Sequence, residues 1–120
     1  MNIIFDHQTQ HVPQGHTLLE LDSFRQSPSG STRTAYCLIE KIPLDEFPLL
    51  EYLVKCHGDL MSAYREQNWE YCECAIQGLM GKFAGEMDSF YQDLAHRVQH
   101  FKLNPPGPDW DAVRDSAHLT

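Results

Sequence analysis

The stretch Thr32–Tyr64, TRTAYCLIEKIPLDEFPLLEYLVKCHGDLMSAY, changes its hydrophobic period in the middle. Up to Ile42 the chain is rich in β-branched and aromatic residues. From Pro43 onward Phe47, Leu50, Leu53 or Val54, His57, Leu60 or Met61 and Tyr64 recur once per helical turn. The first pattern belongs to a strand and the second to the buried stripe of an amphipathic helix. Pro48 falls in the first turn, where a missing N–H costs nothing.

Working back toward the N-terminus, Thr17–Phe24 alternates Leu19 and Leu21 with Glu20 and Asp22, which predicts a strand with the acids facing outward. Leu18 breaks the alternation and leaves the register open by one residue. Arg25–Ser31, RQSPSGS, is a turn cluster, so the two strands form a β-hairpin. Ile3–Phe5 predicts a further short strand. Working forward, Asn68 is a candidate N-cap for a second helix whose inner face carries Trp69, Cys72, Ile76, Leu79 and Phe83. Gly78, Gly81 and Gly85 end it. A third helix follows, with Met87, Phe90 or Tyr91, Leu94, Val98 and Phe101 inward, and it stops before Asn104-Pro105-Pro106-Gly107-Pro108.

The expected fold class is therefore α+β: a small antiparallel sheet, made of the hairpin and the N-terminal strand, packed against a three-helix layer containing one helical hairpin. Residues 1–103 form the domain, and 104–120 form a Pro-rich extended tail anchored by Trp110 and Val113. At 120 residues with 42% hydrophobic content, one core is sufficient and disorder is excluded for most of the length.

Nine Lys and Arg against 17 Asp and Glu give a net charge of −8, which repels phosphate backbones and anionic membrane surfaces. Neither nucleic acid nor membrane is an expected partner. No apolar run reaches the roughly 20 residues of a bilayer span, and the N-terminus lacks the features of a secretion signal. The expected location is the cytoplasm, with Cys37, Cys56, Cys72 and Cys74 as free thiols.

Catalytic motifs are missing: there is no nucleophile elbow, phosphate-binding loop, dinucleotide fingerprint or H-E-x-x-H helix. A non-enzyme with no cofactor is expected. Cys72 and Cys74 point about 200° apart on a helix and cannot share a metal from one face. Asp93, His96 and His100, at i, i+3 and i+7, share a face and are the candidate metal ligands, with an exposed polar face as the competing interpretation. Aromatic residues are concentrated in the helical half. Tyr52 and Tyr71 lie off the apolar stripes of their helices, and with Trp110 they are the candidate partner-binding residues. The leading functional expectation is a small interaction module that binds a protein partner or a second copy of itself, a homodimer included. The alternatives are a metal-binding protein and an acidic inhibitor of a nucleic-acid-binding protein.

Ala63–Trp69 through Ala75, with Phe90-Tyr91 and Leu94–Arg97, resembles one tetratricopeptide-like helical hairpin, and within residues 60–111 the segment AYREQNWEYCECAIQGL (Ala63–Leu79) with the later NPPGPDWD (Asn104–Asp111) is similar to the helical tail of class III adenylate and guanylate cyclases. None of the cyclase catalytic segment is present, so the resemblance carries no cyclase activity. The layout of ELDSF, TAYCLIEKIP, SAYREQNWEYCE, GEMDSFY and PDWD also resembles short proteins encoded by tailed bacteriophages of marine bacteria, cyanophages among them. That resemblance implies a virion-associated or host-modulating role and transfers no site residues.

Overall fold

The computed structural model describes residues 2–12, 16–25 and 31–115. The turn predicted between the hairpin strands lies mostly outside the described residues. The chain runs β1 (Ile3–Phe5), a 3-10 turn (Asp6–His11), β2 (Thr17–Arg25), β3 (Thr32–Ile39), a second 3-10 turn (Leu44–Leu49), α1 (Leu50–Arg65), α2 (Trp69–Leu79), α3 (Asp88–Leu103) and β4 (Val113–Asp115). The fold is α+β.

The sheet has the order β1-β3-β2-β4, and it is mixed. β1 and β2 flank β3 in antiparallel pairing, as the hairpin reading requires, while β4 joins the far edge of β2 in parallel, with Ser23 opposite Val113. The wholly antiparallel sheet expected from the sequence is thus extended by a strand from the segment after α3. A parallel neighbour needs a long crossover, and the three helices supply it.

Register runs regularly from Thr17 opposite Ile39 to Glu20 opposite Tyr36, then shifts before Ser23 meets Thr34. Leu21 and Asp22 together therefore face Ala35, the two-against-one count of a β-bulge. Both side chains are buried, so Asp22 turns inward instead of outward as strict alternation demands. Inside, it meets Arg97 of α3: Nη1 and Nη2 donate to the two carboxylate oxygens at 2.8 and 2.9 Å. Arg97 also gives Nε and Nη2 to Asp93 at 2.9 and 2.7 Å and Nη1 to the Tyr64 hydroxyl at 3.3 Å, which commits all five of its N–H groups.

The core is one cluster between the sheet and the helices. Leu19, Ala35, Cys37 and Ile39 meet Leu53, Leu60, Met61 and Tyr64 of α1, Cys72, Ile76 and Leu79 of α2, and Phe90, Tyr91, Leu94 and Val98 of α3. Helix periodicity places every one of these helical positions as the sequence predicts. His57 is buried among them, with Nε2 donating to the Glu20 carbonyl at 2.6 Å and Nδ1 accepting from the Tyr91 hydroxyl at 2.9 Å. Because a carbonyl can only accept, Nε2 carries a proton, and in the neutral ring Nδ1 is then the acceptor for the Tyr91 hydroxyl. Burial pushes the pKa of His57 down, against the opposing pull of the Glu20 carbonyl.

The start of the first helix differs from the expectation. Leu44–Leu49 forms a 3-10 turn, whose three residues per turn present a different face from an α-helix. Phe47 consequently points to solvent and Glu46 inward, where its carboxylate accepts the Phe83 N–H at 2.8 Å. That bond holds the joint between α2 and α3, in which Phe83 and Ala84 both have positive φ.

Residues after Leu103 return to the domain. Gly107 (φ 95°) supplies a carbonyl that accepts from Gln67 Nε2 at 2.6 Å, and Trp110 enters an aromatic cluster with Tyr64, Trp69 and Phe101 at centroid distances of 5.1 to 5.8 Å.

Candidate functional site

Tyr52 and Tyr71 come together. Each sits in the first turn of its helix, Tyr52 on α1 and Tyr71 on α2, and each remains exposed, 66% and 42% respectively. With Leu53, Cys56, Cys74, Ala75, Gly78 and Leu79 they line a groove of about 240 Å³ between the two helices. Leu53 and Leu79 are buried and belong to the core, so the groove is an opening onto the hydrophobic interior flanked by two phenols.

Local sequence explains each wall. Asn68 caps α2, its Oδ1 accepting the Tyr71 N–H at 3.4 Å, and this bond sets Tyr71 in the first turn. Gln67 takes φ 63°, which lets the chain reverse within three residues and brings α2 back along α1. Tyr52 and Cys56 are one turn apart, and a hydrogen bond to the Cys56 side chain holds the Tyr52 phenol above its ordinary pKa. Gly78 keeps the groove open: a Cβ built there meets no atom within 4 Å.

Lys55 lies within electrostatic reach of Tyr52, Cys56 and Tyr71. Leu44, Phe47 and Leu49 on the turn leading into α1 are exposed. Glu51 and Glu70, the residues immediately before the two tyrosines, are exposed together with Asp45, and none of the three makes an ion pair among the described residues. The neighbouring carboxylates Asp59 and Glu73 are neutralised by Lys55 and Lys102, each at 2.8 Å.

Trp110 does not join this surface. It packs beside Tyr64 at the other end of α1, roughly 18 Å along the helix axis from Tyr52, and three aromatic rings hold it as part of the fold. A second cavity there, about 360 Å³, is lined by Tyr64, Arg97, His100, Phe101, Trp110 and Arg114. Arg97 has no N–H left to offer it, as counted above.

The proposed metal trio fares differently from its helical-face placement. Among the described residues no group of three or more His, Cys, Asp or Glu side chains is placed to hold a metal ion. Asp93 spends its carboxylate on Arg97, which needs it to complete its own hydrogen bonding. Reactive groups elsewhere are quiet. The Cys72 thiol is pushed up to about 11 by burial, and Tyr91 is raised by the same cause. Carboxylates in ion pairs are dispersed: Glu20 with Arg65, Asp22 and Asp93 with Arg97, Asp111 with Arg25.

Cys56, Cys74 and Gly78 were not legible as site residues. Their only advance signal is that, at one-turn spacings, Cys74 and Gly78 follow Tyr71 along α2 and Cys56 follows Tyr52 along α1. Among the described residues, no helix is long and apolar enough to cross a membrane. No protein-family model, curated protein or solved structure matches the chain.

Proposed function

We propose that this chain is a small non-catalytic interaction module, acting in the cytoplasm, that binds a protein partner or a second copy of itself through the α1–α2 face. The observation that carries this reading is the convergence of exposed Tyr52 and Tyr71 on one apolar groove. Half-exposed aromatic side chains offer on the order of 100 Å² each, so Tyr52 and Tyr71 together present about 200 Å² of largely apolar ring surface at the groove. Tyrosines at the mouth of a pocket are also the residue type that anchors interfaces. The resemblance to phage proteins gives this module a virion-associated or host-modulating setting.

Selection from a displayed random-peptide library tests the proposal, with the native chain and the Tyr52→Ala/Tyr71→Ala double variant immobilised in parallel. Both tyrosines are exposed, so the variant retains the fold. Peptides enriched on the native chain and lost on the variant support the reading. Failure to enrich any sequence, in a chain that light scattering finds strictly monomeric, or enrichment indifferent to the variant, overturns it.

A further inference from the structure

The second cavity, where the C-terminal ends of α1 and α3 meet the segment that leads into β4, differs from the α1–α2 groove in its chemistry. At about 360 Å³ it lies within the usual range of a small-molecule site, roughly 300–1,000 Å³. Its basic side chains are Arg97, His100 and Arg114, and no acidic side chain lines it among the described residues. Tyr64, Phe101 and Trp110 supply aromatic walls, with ring centroids 5.1 to 6.4 Å apart.

Two donors here have no acceptor among the described residues. Arg114, 31% exposed, approaches Asp22 and Asp93 only to 3.7 and 3.9 Å, beyond hydrogen-bond reach, so its five side-chain N–H groups are not hydrogen-bonded. The buried Tyr64 hydroxyl accepts from Arg97 Nη1 at 3.3 Å and donates to no described residue. Arg97, with every N–H engaged, is a fixed charge in the wall and offers no hydrogen bond. A carboxylate only accepts, and it matches the guanidinium fork in two parallel bonds. Arg97 and Arg114 offset Asp22 and Asp93, so an anion at Arg114 meets no local excess of like charge. Beyond about 10 Å the remaining charge of the chain is screened at ordinary salt.

We infer that this cavity is a binding site for a small planar aromatic carboxylate, its ring against Phe101 and Trp110 and its carboxylate on the Arg114 guanidinium, with the Tyr64 hydroxyl as a further donor. A neutral aromatic leaves the donors unanswered, and a cation meets three basic side chains. The site lies at the opposite end of α1 from Tyr52 and stands independently of the interaction reading.

Two probes of one shape test it, 2-naphthoate and the uncharged 2-naphthamide, each titrated into the labelled chain and followed by amide chemical-shift mapping. The same titrations are made with Arg114→Gln, which leaves Asp22 both of its bonds from Arg97 and so retains the fold. The expected result is that 2-naphthoate saturates with a Kd below about 1 mM and shifts gathered on His100, Phe101 and Trp110–Arg114, while 2-naphthamide binds at least tenfold more weakly. Arg114→Gln weakens 2-naphthoate by about tenfold and leaves 2-naphthamide unchanged. Absence of saturation by about 10 mM 2-naphthoate, or saturating shifts centred elsewhere, would overturn the site. Equal binding of the two probes to the native chain overturns the carboxylate selection without recourse to any variant, and undiminished binding of 2-naphthoate to Arg114→Gln overturns the role of the guanidinium. None of these results bears on Tyr52 and Tyr71, whose reading stands or falls on the peptide selection.

Discussion

Replacing Arg97 by Met removes the partner from a buried carboxylate. Asp22 is 9% exposed and Arg97 14%, and the bidentate pair joins β2 to α3 across the core. Burial works against the Arg97 charge, but its hydrogen bonds to Asp22 and Tyr64 and the Asp22 charge outweigh it, so the guanidinium stays charged. Without Arg97, Asp22 keeps its place at the bulge and Arg114, 3.7 Å away, as its remaining cationic neighbour. Breaking a buried pair from one side costs about 3–5 kcal/mol, against about 5–15 kcal/mol for the stability of a whole domain. The partial compensation by Arg114 places the expected loss near the lower end, about 3 kcal/mol. Converting both partners to apolar residues, Asp22→Leu/Arg97→Met, removes the unpaired charge and recovers at least half of that loss. Urea unfolding of the four proteins of the cycle measures this through the midpoint at constant slope. A single variant that loses less than about 1 kcal/mol, or a double variant no more stable than the single one, would refute the buried-pair account.

Three further outcomes follow from the same structure. The folded pKa of His57 lies below its unfolded value of about 6.5, so its contribution is fully present above that pH and is lost as pH falls toward the folded pKa, at up to about 1.4 kcal/mol per pH unit. Urea midpoints measured from pH 8 to 5 should show a steeper loss in the native chain than in His57→Gln, and parallel curves would contradict the assignment. Trp110→Ala empties the aromatic cluster and releases β4; because the ring is only part-buried, the expected cost is about 2 kcal/mol, below that of a fully buried Trp. A thermal midpoint unchanged from native would show that the segment after α3 is not docked. Gly58 lies within α1 with open space at its Cβ, so Gly58→Ala should stabilise by about 0.5–1 kcal/mol in the same urea assay, and destabilisation would mean the space is filled.

The helices were legible because their buried residues recur at three- and four-residue spacings over 11 to 16 positions, enough to average out exceptions. The β2–β3 pairing was legible for the same reason at period two. Three features were hidden. β4 is three residues long, V-R-D, and a strand that short carries no period; only its partner Ser23–Arg25 defines it. The bulge at Leu21 and Asp22 flips the alternation in mid-strand, and what stabilises the inward Asp22 is Arg97, 75 residues away. The 3-10 turn before α1 breaks the helical phase at Phe47, because the buried role belongs to Glu46, which answers a backbone N–H at Phe83. For the site, the position of Tyr52 and Tyr71 off the apolar stripes was readable from helix geometry. Their convergence depends on the short turn through Gln67 and Asn68, which local pattern alone does not measure.

The claim that the α1–α2 groove is the binding face is tested most directly by amide chemical-shift mapping of the labelled chain with a peptide that the displayed library enriches on it. Shifts gathered on Tyr52–Cys56 and Tyr71–Leu79, saturating with peptide and absent in the Tyr52→Ala/Tyr71→Ala variant, are the predicted result. Shifts centred instead on His100, Trp110 and Arg114, or no shifts at saturating peptide, would contradict it.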